Sequence, residues 1–113
     1  MAFNGNFLCT SFKVELMKAV HNFTAASNVF KLALYDNSAT FTAATTAYTA
    51  TNEISGTNYT AGGNFLTSVT PTSSSTTAFT DFADEVFSTV TISAVRGALI
   101  YNAPASGDPT VCV

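Results

Sequence analysis

From Thr10 to Phe23 the apolar residues Phe12, Leu16, Ala19, Val20 and Phe23 recur at i, i+4, i+7, i+8 and i+11, which lines one stripe of an α-helix. Thr10 or Ser11 is placed to cap its start, and Glu15 and Lys18 fall at i, i+3 away from most of the stripe. This is the one substantial helix the pattern predicts. Val29 to Tyr35 switches to period two, with Phe30, Leu32 and Leu34 on one side and Val29, Lys31, Ala33 and Tyr35 on the other, and Asp36-Asn37-Ser38 ends that strand with turn chemistry.

Residues 39–63 are mostly Thr and Ala, with Tyr48, Ile54 and Tyr59 as the large side chains and Gly56, Gly62 and Gly63 as punctuation. Such a stretch buries little per residue and reads as a long surface excursion with short ordered pieces, the first place to look for an interaction arm. The C-terminal half predicts a run of strands. Asn64 to Thr70 is followed by a turn at Pro71 to Ser75, and Thr76 to Ala83 by a phase slip at Phe79 and Phe82 that a bulge or an edge would absorb. Glu85 to Ser93 alternates, and Val95 to Tyr101 is a nearly continuous apolar run suited to a central buried strand. Asn102 to Pro109 is a loop. Thr110 to Val113 resumes strand character, so this piece either pairs with a sheet edge or leads into further chain, and the second is the expectation.

The fold class expected is mainly β: a β-sandwich or barrel-like antiparallel sheet with one N-terminal amphipathic helix, in a single domain over residues 1–113. Composition sharpens this. Nineteen Thr residues favour pleated strands, and 47% hydrophobic residues exclude intrinsic disorder. Charged residues are only 10% of the chain, against about 25% in typical globular proteins. A surface so neutral, with a net charge of −3, gives little repulsion between copies and implies association.

Several functions lose support on the same residues. Lys13, Lys18, Lys31 and Arg96 are scattered and form no stripe for phosphates, so no direct nucleic-acid binding is expected. No apolar run reaches the roughly 18 to 20 residues of a membrane span, and the N-terminus lacks the pattern of an export signal. The lone histidine, His21, lies at the end of the predicted helix, where capping the last carbonyls is favoured over acid-base chemistry. Asp81, Asp84 and Glu85 lack calcium-loop spacing and read as a solvated turn. Gly56 and Gly62-Gly63 form no phosphate loop. Arg96 at the start of the apolar strand reads as a snorkelling side chain, with an inter-subunit carboxylate contact as the alternative. Cys9 and Cys112 are either two small buried hydrophobes, the favoured reading, or one terminus-joining disulfide. The sequons at Asn22 and Asn58 carry little weight without an export signal. No catalytic, cofactor-binding or metal-binding residue is expected, and no cofactor.

The phrases Leu32-Ala33-Leu34-Tyr35-Asp36-Asn37-Ser38-Ala39, Thr45-Thr46-Ala47-Tyr48, Asn52-Glu53-Ile54-Ser55-Gly56 and Tyr59-Thr60-Ala61-Gly62-Gly63 come in a distinctive order. With Phe79-Thr80-Asp81-Phe82-Ala83 and Arg96-Gly97-Ala98-Leu99-Ile100-Tyr101-Asn102, they resemble a family of small tailed-phage virion structural proteins, over roughly residues 3 to 102. The resemblance implies assembly into a particle in the bacterial host cytoplasm and transfers no functional residue. The expectation is a non-enzymatic, homo-oligomeric capsid decoration or cement protein whose other partners are virion proteins, the major capsid protein first among them, with no membrane partner. The alternatives are a tail, connector or fibre component, and a carbohydrate-binding module with Tyr48, Tyr59 or Tyr101 as stacking platforms.

Overall fold

A computed structural model describes residues 5–113. In chain order the elements are helix α1 (Thr10–Met17) and strands β1 (Phe30–Tyr35), β2 (Asn64–Phe65), β3 (Ser68–Ser74), β4 (Thr77–Phe82), β5 (Gly97–Asn102) and β6 (Thr110–Cys112). The fold is mainly β and antiparallel. One sheet has the order β2-β1-β5-β6, and β3 and β4 form a separate hairpin. The extended residues before α1 continue the first sheet beyond β6: Leu8 bridges Cys112, and Phe7 and Val113 exchange backbone hydrogen bonds at 2.9 Å. The C-terminal piece therefore pairs on both sides, with β5 and with residues 7–9.

β1 and β5 lie at the centre, in a register that sets Ala33 against Leu99 and Tyr35 against Gly97. Both of their faces are covered. Odd-numbered Ala33, Tyr35, Leu99 and Tyr101 join Ala39 and Phe41 in one apolar cluster, while Phe30 joins Cys9, Phe12, Leu66 and Val111 in a second, against which Leu32 and Ile100 pack. The alternation expected for β1 separates two cores, since the side carrying Ala33 and Tyr35 is as covered as the side carrying Phe30. Of the apolar run at 95–101, the part from Gly97 onward forms the central strand β5, while Val95 and Arg96 precede it and are exposed.

The Thr/Ala-rich excursion covers the first of these clusters. Ala39, Phe41 and Ile54 are buried, and single bridges Tyr35–Glu53, Ala47–Pro109 and Thr57–Thr91 pin the segment to the body. Its small residues permit close approach, above all at Gly63, where φ is +78° and a Cβ would collide with the Leu32 carbonyl oxygen. It is laid along the sheet and does not project as an arm.

Four local expectations are corrected. The helix ends at Met17 rather than continuing to Phe23, because Ala19 takes a left-handed conformation (φ 61°). There Val20 N–H donates to Glu15 C=O at 3.0 Å and Ala19 N–H to Leu16 C=O at 3.2 Å, a Schellman closure. Of the proposed stripe Phe12 is buried, while Leu16 is 48% exposed and Val20 37%. Neither Thr10 nor Ser11 caps the start. Cys9 occupies the cap position without a side-chain bond, and Thr10 N–H donates instead to Ala43 C=O at 2.8 Å.

The turn expected at Pro71 to Ser75 is displaced. Pro71 lies inside β3 at a register shift between Val69 and Thr72, where two residues face Thr80 and a missing N–H is tolerated, and the reversal is at Ser75-Thr76. Finally, residues 85–93 form no strand. Left-handed Thr89 (φ 52°) interrupts the alternation, leaving one bridge from Thr91 to Thr57 in an irregular crossing from the hairpin to β5.

Candidate interaction surface

The Glu53 carboxylate gathers three donors. It accepts Tyr48 Oη–H at 2.6 Å, Tyr59 Oη–H at 2.7 Å and Gly62 N–H at 2.7 Å. Tyr59 Oη also accepts Leu34 N–H at 2.9 Å, Tyr35 Oη donates to Thr49 C=O at 2.7 Å, and Tyr101 Oη donates to Gly62 C=O at 2.8 Å. Burial away from water, reinforced by Glu53, pushes the Tyr35, Tyr48 and Tyr59 hydroxyls above their ordinary range. Burial, then Asp108 and Glu53, pushes Tyr101 up to about 12. These are neutral, fully engaged phenols that fasten residues 48–63 to β1 and β5. The tyrosines considered as sugar platforms face inward: Tyr101 is buried, Tyr48 stacks on it at 4.6 Å between ring centroids, and Tyr59 stacks on Phe87 at 5.9 Å.

His21 is buried too, and does not cap the helix carbonyls. Its Nδ1 lies 3.2 Å from Asn102 Nδ2 and its Nε2 3.5 Å from Glu15 Oε1. With Asn102 donating to Nδ1, the ring proton is assigned to Nε2, facing Glu15. The ring packs between Phe12 and Phe30, at centroid distances of 5.1 and 6.2 Å. Among the described residues no hydroxyl or thiol bonds to it, so no nucleophile-base pair is formed there.

The other residues singled out in the sequence stay apart. Asp81 bonds the backbone N–H of Phe82, Glu85 accepts from Asn64 Nδ2 at 2.6 Å, and no group of three His, Cys, Asp or Glu among the described residues is arranged for a metal ion. Arg96 is exposed and its N–H donates to Tyr35 C=O at 2.8 Å. Gly56 lies where a Cβ would collide with the Thr91 carbonyl oxygen. Cys9 and Cys112 are free thiols, both pushed up by burial. Asn58 Nδ2 donates to Thr89 C=O at 3.0 Å, and Asn22 is exposed. Among the described residues no helix is long and apolar enough to cross a membrane.

What the fold does leave open is the β3–β4 hairpin. Every residue from Val69 to Asp81 is exposed, and the ribbon is rooted by Phe82, whose ring lies 5.5 Å from Phe30 and 6.2 Å from Phe23. A two-stranded ribbon is marginally stable alone in water. Beneath it runs an apolar groove of about 600 Å³, between α1 (Phe12, Leu16) and the hairpin (Phe79, Phe82), with Ile100 and Val111 among its lining. Among the described residues no charged side chain lines it, and its borders expose Leu8 (53%), Leu16 (48%) and Phe79 (49%). Sequence reasoning placed the contact region in the Thr/Ala excursion instead. The Thr/Ser-rich hairpin has the same composition, and only the positions of Phe79 and Phe82, out of phase with each other, hint at its exposed ring and rooted ring. Comparison with family models, with curated proteins and with solved structures found no match.

Proposed function

We propose that this chain is a non-enzymatic structural protein of a bacteriophage particle, a decoration or cement protein that bridges neighbouring capsid subunits and associates with its own copies. The observation that carries the reading is the exposed, nearly uncharged hairpin standing over an apolar groove. Joining such surfaces desolvates hydroxyls and apolar rings but few charges, so contact is not opposed by a large desolvation cost. The one acid-base candidate supports the same reading by being engaged elsewhere: His21 packs between Phe12 and Phe30 and meets Asn102. Repetition on a symmetric lattice makes contacts that are weak one at a time hold collectively.

Quantitative mass spectrometry of purified particles tests this. The chain is expected in copy numbers proportional to the major capsid protein. A ring-like stoichiometry tied to the portal would move it to the tail or connector, and absence from particles would overturn the proposal.

A further inference from the structure

The two outer edges of the hairpin differ. β3 is blunted, since Pro71 has no N–H, the register shifts beside it, and Thr70 Oγ1 accepts Ala25 N–H at 3.0 Å from the adjoining loop. β4 carries no proline, and no strand pairs with its outer edge among the described residues. The ladder fixes what that edge offers. Ser74 faces Thr77 across the two-residue turn, and at the other end Ala83 N–H donates to Thr67 C=O at 2.9 Å. Odd-numbered residues of β4 therefore turn their peptide groups toward β3, and Ala78 and Thr80 turn theirs outward. Phe82 N–H is already taken by the Asp81 carboxylate at 2.8 Å.

We propose that a second copy of this chain adds its β4 antiparallel to this edge, Phe79 facing Phe79 across a two-fold axis, to give a continuous sheet of order β3-β4-β4-β3. This names the contact behind the self-association proposed above and rests on that reading. An antiparallel edge is complementary to itself, so one patch serves both copies. In this register each Ala78 exchanges N–H and C=O bonds with Thr80 of the other copy. The Phe79 residues form the central non-hydrogen-bonded pair, where Cα atoms approach to about 4.5 Å and side chains meet. Asp81, the hairpin's one charge, falls opposite Thr77, and no carboxylate faces another. The strand edge is about 20 Å long at about 3.4 Å per residue. A contact of one six-residue strand edge and the Phe79 ring is smaller than the roughly 800 Å² per partner of a standard interface. The dimer is accordingly weak and concentration-dependent.

Two variants test this in the full chain. Phe79→Cys is expected to give a covalent dimer on mild oxidation, because a Cα separation near 4.5 Å lies within disulfide reach. Ser73→Cys on β3, far from the axis, and the wild-type chain with Cys9 and Cys112 should remain uncross-linked. Thr80→Pro removes an outward N–H and should weaken dimerisation by roughly tenfold or more in sedimentation equilibrium. If Thr80→Pro fails to fold, the cross-link decides alone. Equal cross-linking of Ser73→Cys and Phe79→Cys, or none at Phe79→Cys, would overturn the proposal. Such a result would leave particle incorporation, read on particles by mass spectrometry, as a separate question.

Discussion

Replacing Glu53 with Ala removes the acceptor shared by Tyr48, Tyr59 and the Gly62 N–H, all within 2.7 Å. Leaving a buried donor without its acceptor costs about 1–3 kcal/mol. Glu53 is half-buried, so water can reach part of the space and the lower end applies, at about 1 kcal/mol for each orphaned donor. The expected loss is about 3 kcal/mol, which for a domain of this size lowers Tm by about 12 °C at about 4 °C per kcal/mol. Urea unfolding followed by circular dichroism measures it. The loss should appear in the midpoint, with the denaturant slope unchanged if the sheet still unfolds as one unit. Tyr48→Phe removes one donor, so the Glu53→Ala and Tyr48→Phe effects should fall short of additivity by about 1 kcal/mol in a double-mutant cycle. A Glu53→Ala chain within about 0.5 kcal/mol of wild type, the range of ordinary surface substitutions, would refute the keystone role of this carboxylate.

Three further expectations concern other parts of the fold. Phe12→Ala should cost about 3–5 kcal/mol because the ring is buried against His21 and Phe23, whereas Leu16→Asp, on a half-exposed position, should cost under about 1 kcal/mol; equal losses in thermal melts would restore the longer helical stripe. Ala19→Gly should stabilise the chain by about 1 kcal/mol, since glycine takes the left-handed helix terminus without Cβ strain, and a lower melting temperature would contradict the Schellman closure. Raising the pH should destabilise the fold through its tyrosines. Their folded-state pKa values lie above the unfolded value of 10.0, so the unfolded chain loses protons first and stability falls from about pH 10 toward the value of about 12 reached by Tyr101. Phenolate absorbance that rises before unfolding, rather than with it, would contradict this.

Much of the sheet was legible because its signals are local. The apolar run around Leu99 and Ile100 demanded a strand covered on both faces, and period two from Phe30 to Tyr35 identified its neighbour. The helix was overestimated because periodicity registers spacing only, and nothing at Ala19 signals a left-handed residue as glycine would. The strand expected at 85–93 failed for a related reason: alternation persists in a segment whose backbone is broken at Thr89. The Glu53 network was illegible because its members are distant in sequence, with Tyr59 reaching β1 through Leu34 and Tyr101 reaching the excursion through Gly62. That excursion looked like an arm for want of large side chains, yet phenol hydroxyls and buried Phe41 and Ile54 fasten it. The hairpin had the turn-rich composition of a loop and emerged as the exposed element because Pro71 fits a register shift instead of ending the strand.

Cryo-electron microscopy of phage particles from a lysate that contains this chain decides whether it is, as proposed, a building component of the particle. Density of this fold is expected at symmetry positions of the head lattice, with the β3–β4 hairpin at a contact. Well-resolved particles in which every surface density is accounted for by other chains would contradict it.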